Sequence, residues 1–462
     1  MKTDVRGLQL STDSDAAARH IDTAISDFMD YGVGASASLK AALEADPECA
    51  LAQCFRGYFM MMLEMRSVLP KVQQTVAELD ARHAKLTRRE QLHIKALKAW
   101  GLGDIMGACG AWEEILVDHP HDLLAMKLHH TLTFYTGRSH VMRSVLQSVL
   151  GEWNDDTPGY GYVQGMYAYA LEECGVYGEA EHWGRQAVER NPGDLWAIHS
   201  VAHVLEMQAR SKEGSELLSQ TIGQWKAKNP FKAHVWWHNA LFQLAQGDLD
   251  RVLSIYDNEL SSVNTDNYVD VSNQASLLKR LALGGADVGE RWHKLAEHSK
   301  KRIHDHMLPF RDVHFCLALA SSGDLETARE HISSMVTFAA DRKDWQAEGT
   351  RRIVIPLCEA LLLIATEEHG KACDLIWPLR HDFSLIGGSN AQRDLFAQIL
   401  CDAAVRGKRF TVARSLLGER VRNRTEHKAN WTTYADVLSA LGETKLAADA
   451  AKQGELVTQA GA

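Results

Sequence analysis

The sequence predicts an all-α fold in which helical hairpins stack into one right-handed superhelix, an α-solenoid. The chain of 462 residues contains only nine prolines and 33 glycines, and no segment alternates between apolar and polar residues strongly enough to predict a strand. Small residues instead recur at a spacing that suits antiparallel helix pairs. Because 45% of the chain is hydrophobic, these pairs can bury a large common core.

The clearest repeat lies in the segment 161–192. Small residues and a closing proline occupy the places that they have in a tetratricopeptide repeat (TPR) unit, at Ala168, Gly175, Ala180, Ala187 and Pro192. Small residues at these places let the two helices of a hairpin approach closely, and the proline ends the second helix. One repeat period later, Ala202 and Ala209 replace Ala168 and Gly175, so the next segment is predicted to be a repeat as well.

Weaker copies of the same pattern cover the rest of the chain. They are marked by Ala96, Gly103, Ala108 and Pro120, by Gly247 with 248–250 (DLD), by 323–325 (GDL) with Ala328, by Gly407 with Ala413, and by Gly442 with Ala447. We expect roughly eight to ten hairpins in a single TPR-like domain spanning 1–462. The superhelix should run from near residue 10 to near residue 455, with soft breaks at 151–158, 261–267 and 387–389.

Charge and targeting signals narrow the class of protein. The formal net charge is -10 and no long basic run occurs, so neither a nucleic-acid partner nor a membrane surface is expected. The first residues are polar and lack the apolar core of a signal peptide, and the longest apolar stretch, 353–365, is too short to span a bilayer. The eight cysteines form no CxxC pair, as is typical of reduced thiols in a cytoplasmic protein, which is the expected location.

Two histidine pairs give the most informative local pattern. His199 and His203 are four residues apart, as are His234 and His238, so each pair lies on one face of its helix. Glu206 extends the first face by one turn. Four imidazoles and a carboxylate are costly to bury without partners, which predicts that they meet one another, line a wet cavity or hold a ligand.

The repeat register directs further polar side chains toward the concave surface. With Ala202 as the eighth residue of its unit, His199, His203 and Glu206 occupy groove-facing positions. The same count places Tyr169, Glu172, His93 and His234 on that surface. Asp312 and His314 begin a later first helix and are expected to join them if the superhelix curls far enough. We take these residues, together with Arg393, as the candidate ligand-binding set around a core of His199, His203, Glu206, His234 and His238.

Several stretches together resemble the tetratricopeptide repeat protein 38 family. The most specific are 198–206 (IHSVAHVLE) and 386–394 (IGGSNAQRD), which are not general TPR features. The others are 8–12 (LQLST), 87–93 (TRREQLH), 165–167 (GMY), 171–173 (LEE), 234–241 (HVWWHNAL), 275–278 (ASLL) and 312–314 (DVH). The matches run from about residue 8 to about residue 400. The resemblance implies a helical TPR-like fold and brings no general activity with it.

Four hypotheses account for the polar set. In the first, the histidines only satisfy one another and nearby backbone groups. In the second, a divalent metal binds, because His-xxx-His spacing with added carboxylates suits zinc or iron. HExxH is absent, since Ser200 follows His199, and the expectation leans toward a metal-free site.

The third hypothesis is acid/base chemistry or simple binding of a small polar molecule, walled by Tyr167, Tyr169, Trp196, Trp236 and Trp237. If the protein is an enzyme, we expect a hydrolase or lyase. The fourth is a non-enzymatic scaffold that binds a protein or peptide partner along its concave groove, as TPR arrays commonly do. Self-association, the substrate and the reaction type are left open by the sequence.

The segment 387–394 (GGSNAQRD) predicts a tight turn followed by a capped helix. The two glycines permit positive φ, and Ser389 or Asn390 can cap the helix that Gln392 and Arg393 open. The sharper alternative is an anion site formed by Arg393 and the helix N-terminus. Tryptophans Trp236 and Trp237 could also turn His234 or His238 away from the groove.

Overall fold

Antiparallel helices make up nearly all of the protein, as the sequence predicts. The structure, a computed structural model, describes residues 1–228, 231–261, 268–425 and 427–461. The helices of the first half are α1 (Asp15–Met29), α2 (Ala35–Ala45), α3 (Ala50–Met61), α4 (Leu69–Asp80), α5 (Arg88–Gly101), α6 (Ile105–Asp118), α7 (Leu123–Tyr135), α8 (Ser139–Leu150), α9 (Tyr160–Glu173), α10 (Tyr177–Arg190), α11 (Leu195–Met207) and α12 (Ser211–Trp225). Those of the second half are α13 (Lys232–Gln246), α14 (Leu249–Ile255), α15 (Tyr268–Leu283), α16 (Arg291–Lys300), α17 (Pro309–Ser321), α18 (Leu325–Ala339), α19 (Trp345–Gly349), α20 (Ile355–Ala365), α21 (His369–Ile376), α22 (Asn390–Arg406), α23 (Phe410–Asn423), α24 (Lys428–Ala440) and α25 (Thr444–Gly461).

Short irregular elements interrupt this series. Single turns of 3₁₀ helix occur at Arg66–Val68, His83–Lys85, Trp377–Leu379 and Phe383–Ile386, and π-helical turns extend α14 at Tyr256–Leu260 and join α19 to α20 at Thr350–Val354. A two-stranded antiparallel ribbon, β1 (Lys2–Thr3) with β2 (Gln9–Leu10), precedes α1. The sequence analysis missed this ribbon, because strands of two residues are too short to show an alternating pattern.

Each predicted repeat mark lies in a helical hairpin. Glycines with positive φ separate the helices of five predicted hairpins, at Gly103, Gly175, Gly247, Gly323 and Gly442. Positive φ is easy for glycine, which lacks a Cβ atom, so the chain can reverse within a few residues. Ala209 holds the corresponding place after α11 with a φ of +59°, a conformation that is unusual for alanine.

Aspartates begin many of the helices. The side chains of Asp104, Asp122, Asp194, Asp248 and Asp324 each accept a hydrogen bond from a backbone N–H in the first turn of the helix that follows. An aspartate at this position satisfies one of the N–H groups that a helix leaves unpaired and favours the positive end of its dipole. A turn glycine followed at once by a capping aspartate occurs in three of the described hairpins, at Gly103 and Asp104, Gly247 and Asp248, and Gly323 and Asp324.

The superhelix curls until early hairpins contact late ones. Asn390, which opens α22, donates its backbone N–H to Glu173 at the end of α9, at 2.8 Å. Arg302 and Arg311 donate to the backbone carbonyl of Glu64 after α3, at 2.8 and 2.5 Å. One hydrophobic core runs through most of the chain, while the α24–α25 hairpin adds a small cluster of its own. Where these early and late hairpins meet, the interior of the solenoid is therefore filled with packed side chains and does not form an open groove.

The predicted soft breaks have different outcomes. Residues 151–158 form the loop between α8 and α9, and 387–389 lie between a 3₁₀ turn and α22. The third break, 261–267, lies outside the described residues except for Ser261. The single-domain assignment stays a prediction. In the described part of the chain, none of the helices combines the length and the apolar character needed to cross a membrane.

Candidate functional site

The two histidine pairs lie on the first helices of neighbouring hairpins. His199 and His203 are on α11, and His234 and His238 are on α13. Helix α11 can approach its neighbours because its packing faces carry small residues. Ala197 of α11, for example, lies against Gly165 of α9, where an added Cβ would come within 3.2 Å. The sequence thus positions the histidines by way of small residues elsewhere on the same helices.

The four imidazoles of these pairs converge in the interior. One ligand-capable nitrogen from each histidine lies within 4.8 Å of those of the other three. The ring centroid of His203 lies 4.4 Å from that of His199 and 4.4 Å from that of His238. The ring centroids of His199 and His234 are 4.9 Å apart. None of the four side chains is more than 4% exposed. We call this set the histidine cluster.

Most ring nitrogens of the histidine cluster have no hydrogen-bond partner. Both nitrogens of His199, His203 and His238 are buried and unpaired with respect to the described residues. His234 differs, since its Nδ1 lies 2.9 Å from Asn273 Oδ1. With Nδ1 donating to that amide oxygen, the lone pair of His234 is on Nε2. A buried polar group left unpaired costs about 1–3 kcal/mol, so six such nitrogens in one place require a physical explanation.

Burial keeps the cluster uncharged at neutral pH. It lowers the pKa of His203 to about 4 and that of His234 to about 3, and it holds the pKa values of His199 and His238 well below their ordinary range. Glu173 and Glu206 partly oppose the shift at His203. A neutral imidazole offers one lone pair, which is the form that binds a metal ion. The cluster therefore presents four lone pairs in a region without solvent.

Two carboxyl groups of α9 flank His203. Glu172 Oε2 lies 3.4 Å from His203 Nδ1, without the alignment of a hydrogen bond. Burial raises the pKa of Glu172 to about 8 and that of Glu173 to about 7. Glu173 is also tied to the far end of the chain, with Oε2 3.4 Å from Arg393 Nη2. A proton can therefore reside on this pair near neutral pH.

Aromatic rings enclose the histidine cluster. Tyr169 stacks on His199 at 5.5 Å, and Trp237 stacks on His234 at 5.2 Å. Trp196 and Phe231 also pack against His199. Trp237 thus holds His234 in the cluster instead of turning it away. The apolar faces of these aromatic rings exclude water from the histidine cluster, which strengthens electrostatic interactions within it.

The other two predicted wall residues point elsewhere. Tyr167 accepts a hydrogen bond from Gln147 and packs on Trp183. Trp236 packs edge-on against Trp225 of α12 in the preceding hairpin, at 5.2 Å. Both aromatic rings belong to the hairpin core.

The donor set of the histidine cluster fits a transition-metal ion. Zinc binds imidazole nitrogen at about 2.0–2.1 Å, and four nitrogens in tetrahedral array accommodate it. Metal-binding histidines usually direct their second nitrogen toward a carboxylate or carbonyl oxygen, which fixes the ring. Glu172 beside His203 and Asn273 beside His234 provide such oxygens. The residues present therefore suit a metal better than they suit a self-contained hydrogen-bond network.

Glu206 lies next to the cluster but faces away from it. Its Oε1 is 3.5 Å from Arg424 Nη1, and the following residue, Met207, lines a cavity of about 660 Å³ between α11 and the α22–α23 hairpin. Its carboxylate is not part of the histidine cluster. The expectation that Glu206 belongs to the core of the site thus needs correction, because α11 turns Glu206 toward the arginines.

The remaining predicted residues lie in separate networks. His93 is buried between Asp122 Oδ2 and Tyr58 OH, each 3.1 Å from a ring nitrogen. Asp312 lies beside His306, with Oδ2 3.3 Å from Nδ1. His314 donates Nδ1–H to the carbonyl of Phe310 at 2.7 Å. These three residues do not join the histidine cluster, because the superhelix distributes its first helices around the interior instead of facing them all toward one point.

Arg393 stabilises the loop that precedes α22. Its guanidinium donates to the carbonyl of Gly388 and to Asn390 Oδ1, the latter at 2.7 Å. Ser389 and Gln392 form the predicted capping box. This arrangement fits the simpler of the two interpretations of the segment, a capped helix entry. Among the described residues, Asp394 forms an ion pair with Arg420 at 2.7 Å and not with the adjacent Arg393.

Sequence reasoning missed several residues around the cluster. Lys127 and His130 of α7 are buried next to Trp196, and Asn273 of α15 orients His234. The three-residue spacing of Lys127 and His130 on one helix face was a usable signal. Nothing local marks Asn273, since its role depends on how α15 packs against α13.

Comparison with known proteins adds little to this description. A scan against models of known protein families finds no match for the chain. Similar solved structures include the human IFIT1 dimer with m7Gppp-AAAA, at 11% identity and a TM-score of 0.42, covering 97% of this chain and 95% of that chain. Yeast Tom70 is similar at 12% identity and a TM-score of 0.35, with 96% of each chain covered. Likeness at this level carries no argument about function, and the TPR-like assignment rests on the helical hairpins themselves.

Proposed function

We propose that the protein binds a divalent transition-metal ion through His199, His203, His234 and His238. The observation that carries this proposal is the convergence of four buried, neutral imidazoles whose nitrogens mostly lack other partners. It departs from the sequence-based expectation of a metal-free site. The reason lies in two features that a sequence does not display. Burial keeps the four imidazoles neutral, and the oxygens of Glu172 and Asn273 lie beside the outer nitrogens of His203 and His234, which favours lone pairs directed at one point.

The donor set restricts the choice of metal. Imidazole nitrogen suits zinc, copper, iron and nickel, whereas magnesium and calcium prefer oxygen ligands. Glu172 and Glu173 lie behind His203 and serve better as second-sphere groups than as ligands of a hard cation. We therefore expect zinc or a neighbouring first-row ion.

The site supports a role toward a small polar molecule. A bound ion would supply Lewis-acid polarisation of such a molecule if one imidazole yields its place. Glu172, with a pKa raised by burial to about 8, can hold or release a proton beside His203 near neutral pH. The chemistry that fits this pair of functions is metal-assisted hydrolysis or elimination, with Glu172 as the proton-handling group.

A scaffold that binds a protein or peptide partner is the second candidate, and the fold supports it. Stacked helical hairpins offer long continuous surfaces, and helical-repeat proteins commonly use them for partners. In that case a metal ion held between α11 and α13 would fix two adjacent repeats to each other. We further propose a cytoplasmic location and membership of the tetratricopeptide repeat protein 38 family, on the strength of the segments 198–206 and 386–394.

Elemental analysis of protein purified without an affinity tag tests the metal directly. We expect near-stoichiometric zinc, iron, copper or nickel in the unmodified protein, and its loss in the His199→Ala/His203→Ala double variant. The matched control is His182→Ala/His293→Ala, which changes two exposed histidines and should leave the metal content unchanged. Metal content that is low in both the unmodified protein and the control, and cannot be restored by added zinc, would reject the proposal.

A further inference from the structure

A second group of polar side chains, distant from the histidine cluster in sequence, contains a serine between two imidazoles. Ser334 Oγ of α18 lies 2.8 Å from His306 Nε2 and 2.8 Å from His304 Nδ1. His306 Nδ1 lies 3.3 Å from Asp312 Oδ2 at the start of α17. The order serine, histidine, aspartate is the arrangement that activates a hydroxyl nucleophile on several unrelated folds.

The hydrogen bonds of this group run in one direction. The carboxylate of Asp312 can only accept, so His306 donates from Nδ1 and carries its lone pair on Nε2. Ser334 then donates its O–H to His306 Nε2 and accepts from His304 Nδ1–H. On its other side, His304 Nε2 lies 3.3 Å from Glu330 Oε1. The hydrogen bond that Ser334 Oγ accepts from His304 polarises the Ser334 hydroxyl. This polarisation favours transfer of the hydroxyl proton to His306.

The acid of the group is suited to remain ionised. Burial by itself raises the pKa of Asp312, but the hydrogen bond from His306 and the positive charge of Arg311 lower it below its ordinary value. Asp312 and His306 are almost completely buried, whereas Ser334 is partly exposed. A buried carboxylate that holds the ring, together with a nucleophile open to solvent, is the division of roles that such chemistry needs.

The backbone at His306 is held in an uncommon conformation. Its φ is +44°, in the left-handed region that side chains other than glycine rarely adopt. His331 of α18 holds the adjacent backbone in place through two contacts. Its Nδ1 lies 2.8 Å from the carbonyl oxygen of Ile303, and its Nε2 lies 3.0 Å from the carbonyl oxygen of Asp312. Strained residues of this kind persist where surrounding contacts determine them, and they are concentrated at functional sites.

Ser334 opens into a cavity of about 580 Å³ on the surface. The cavity is lined by His304, His306, Glu330, Phe338 and two arginines, Arg66 and Arg342, of which Arg342 pairs with Asp344 at 2.8 Å. The guanidinium groups of Arg66 and Arg342 lie 5.9 and 4.5 Å from the centroid of the Phe338 ring. Arg66 makes no ion pair with the described residues. The volume accommodates a small molecule, and the arginines favour one that carries negative charge.

We propose that Ser334 is the nucleophile of a second, acyl-transfer site that hydrolyses esters of small anionic acids, with His306 as general base and Asp312 as positioning residue. Ser334 Oγ bonds to the carbonyl carbon of the ester while its proton passes to His306 Nε2, and the carbonyl electron pair moves onto oxygen. Arg66 and Arg342 supply positive charge for that oxygen or for the acid group of the substrate. Collapse breaks the ester C–O bond, and the departing alcohol takes the proton from His306.

Water completes the reaction. His306 removes a proton from a water molecule, whose oxygen attacks the acyl carbon on Ser334. The bond to Ser334 Oγ then breaks, the serine recovers its proton from His306, and the carboxylic acid leaves. The step needs only water and the ester, and it is independent of any metal at the histidine cluster.

A fluorophosphonate probe tests the nucleophile in the full-length protein. We expect one site of covalent labelling, mapped to Ser334 by peptide mass spectrometry, and its complete loss in Ser334→Ala. His306→Gln should lower the labelling rate at least about 100-fold, as expected for removal of a general base. Ser148→Ala is the control, because Ser148 is an exposed helical serine outside this cavity and should label as the unmodified protein does.

Hydrolysis of p-nitrophenyl esters tests the substrate class. We expect Arg66→Ala to lower kcat/KM for the glutarate half-ester at least about tenfold more than it lowers kcat/KM for the uncharged butyrate ester. Absence of label on Ser334 in the unmodified, folded protein overturns the proposal, as does equal labelling of Ser334→Ala. Because labelling needs no metal, this outcome is independent of the elemental analysis.

Discussion

His203 Nδ1 lies 3.4 Å from Glu172 Oε2, and neither side chain is exposed. The two residues belong to first helices of consecutive hairpins, α11 and α9, and they lie 31 positions apart in the sequence. A carboxyl group behind an imidazole orients the ring and raises its basicity toward a metal ion. The contact therefore links the repeat geometry to the affinity of the proposed metal centre.

Loss of second-sphere oxygens should weaken metal binding without abolishing it. We expect Glu172→Ala and Asn273→Ala each to lower the affinity about 10–100-fold, because His203 and His234 lose the groups beside their outer nitrogens. Competition with a zinc chelator measures the change. Glu206→Ala serves as the control, since its carboxylate faces Arg424 and should leave the affinity within about twofold. A decrease in Glu206→Ala as large as that in Glu172→Ala would contradict this division of roles.

The turn before α22 should tolerate no side chain at Gly387. Its φ is +82° and ψ is -161°, a region that is essentially restricted to glycine, and an added Cβ would overlap the carbonyl oxygen of Tyr135. We expect Gly387→Ala to lower the free energy of unfolding by about 2–4 kcal/mol. Urea denaturation measures it.

A second glycine supplies the matched comparison. Gly223 is exposed inside α12, and an added Cβ would meet nothing within 4 Å. Gly223→Ala should stabilise the protein by about 0.5–1 kcal/mol, because alanine loses less backbone entropy on folding. Equal destabilisation by both replacements would show that the turn at Gly387 has no special conformational requirement.

The local features of this fold could be predicted from the sequence because their causes are local. Turn glycines such as Gly175 and small residues such as Ala202 encode hairpins within one repeat, and the four-residue spacing places each histidine pair on one face. The register places His199, His203 and His234 on the same concave surface. The fold class and the assembly of the histidine cluster both depend on interactions within neighbouring repeats.

The parts of the site that the sequence did not predict depend on contacts between distant segments. Asn390 contacts Glu173 across 217 positions, and Arg302 contacts Glu64 across 238. Such contacts depend on the accumulated curvature of the superhelix, which small rotations at every hairpin determine. His93 and Asp312 occupy plausible register positions, yet the same curvature places them in other networks. A register predicts which side of a helix a residue occupies, but not which helix it will face.

Glu64 should make the protein less stable as pH rises. Burial raises its pKa to about 8, and Arg311, Tyr135 and Arg302 offset only part of this shift. The folded state therefore holds a proton that the unfolded state, with a pKa near 4.5, releases earlier. The contribution of Glu64 to stability is fully present below about pH 4.5 and is lost as pH rises toward about 8.

Replacement by glutamine isolates this effect. Glu64→Gln keeps the shape and cannot ionise, so its stability relative to the unmodified protein should increase by more than about 1 kcal/mol between pH 5 and pH 8.5. Urea unfolding at both pH values measures the change. Glu216→Gln alters an exposed glutamate and should show no such trend. A pH-independent difference for Glu64→Gln would mean that the carboxylate is ionised in the folded protein throughout this range.

Lys127 should destabilise the protein at neutral pH. Its ammonium group lies 3.9 Å from the centroid of the Trp196 ring and 3.1 Å from Tyr31 OH, and burial lowers its pKa to about 7 although Asp194 opposes the shift. The unfolded chain binds a proton near pH 10.5, so stability contributed by the neutral amine is lost as pH falls from about 10.5 toward 7. A buried lysine with a lowered pKa beside the histidine cluster is typical of a functional site, where groups needed for activity often lower the stability of the fold.

Lys127→Met is the test, because methionine keeps an apolar stem under Trp196 and carries no charge. We expect its melting temperature to exceed that of the unmodified protein by several degrees at pH 7.5, about 2–4 °C per kcal/mol for a chain of this size. The gain should shrink at pH 10, where the unfolded lysine also loses its proton. Lys127→Arg, which retains a permanent charge in the same place, should instead lower the melting temperature at both pH values. If Lys127→Met is less stable than the unmodified protein at pH 7.5, the contacts of the ammonium with Trp196 and Asp194 outweigh its burial.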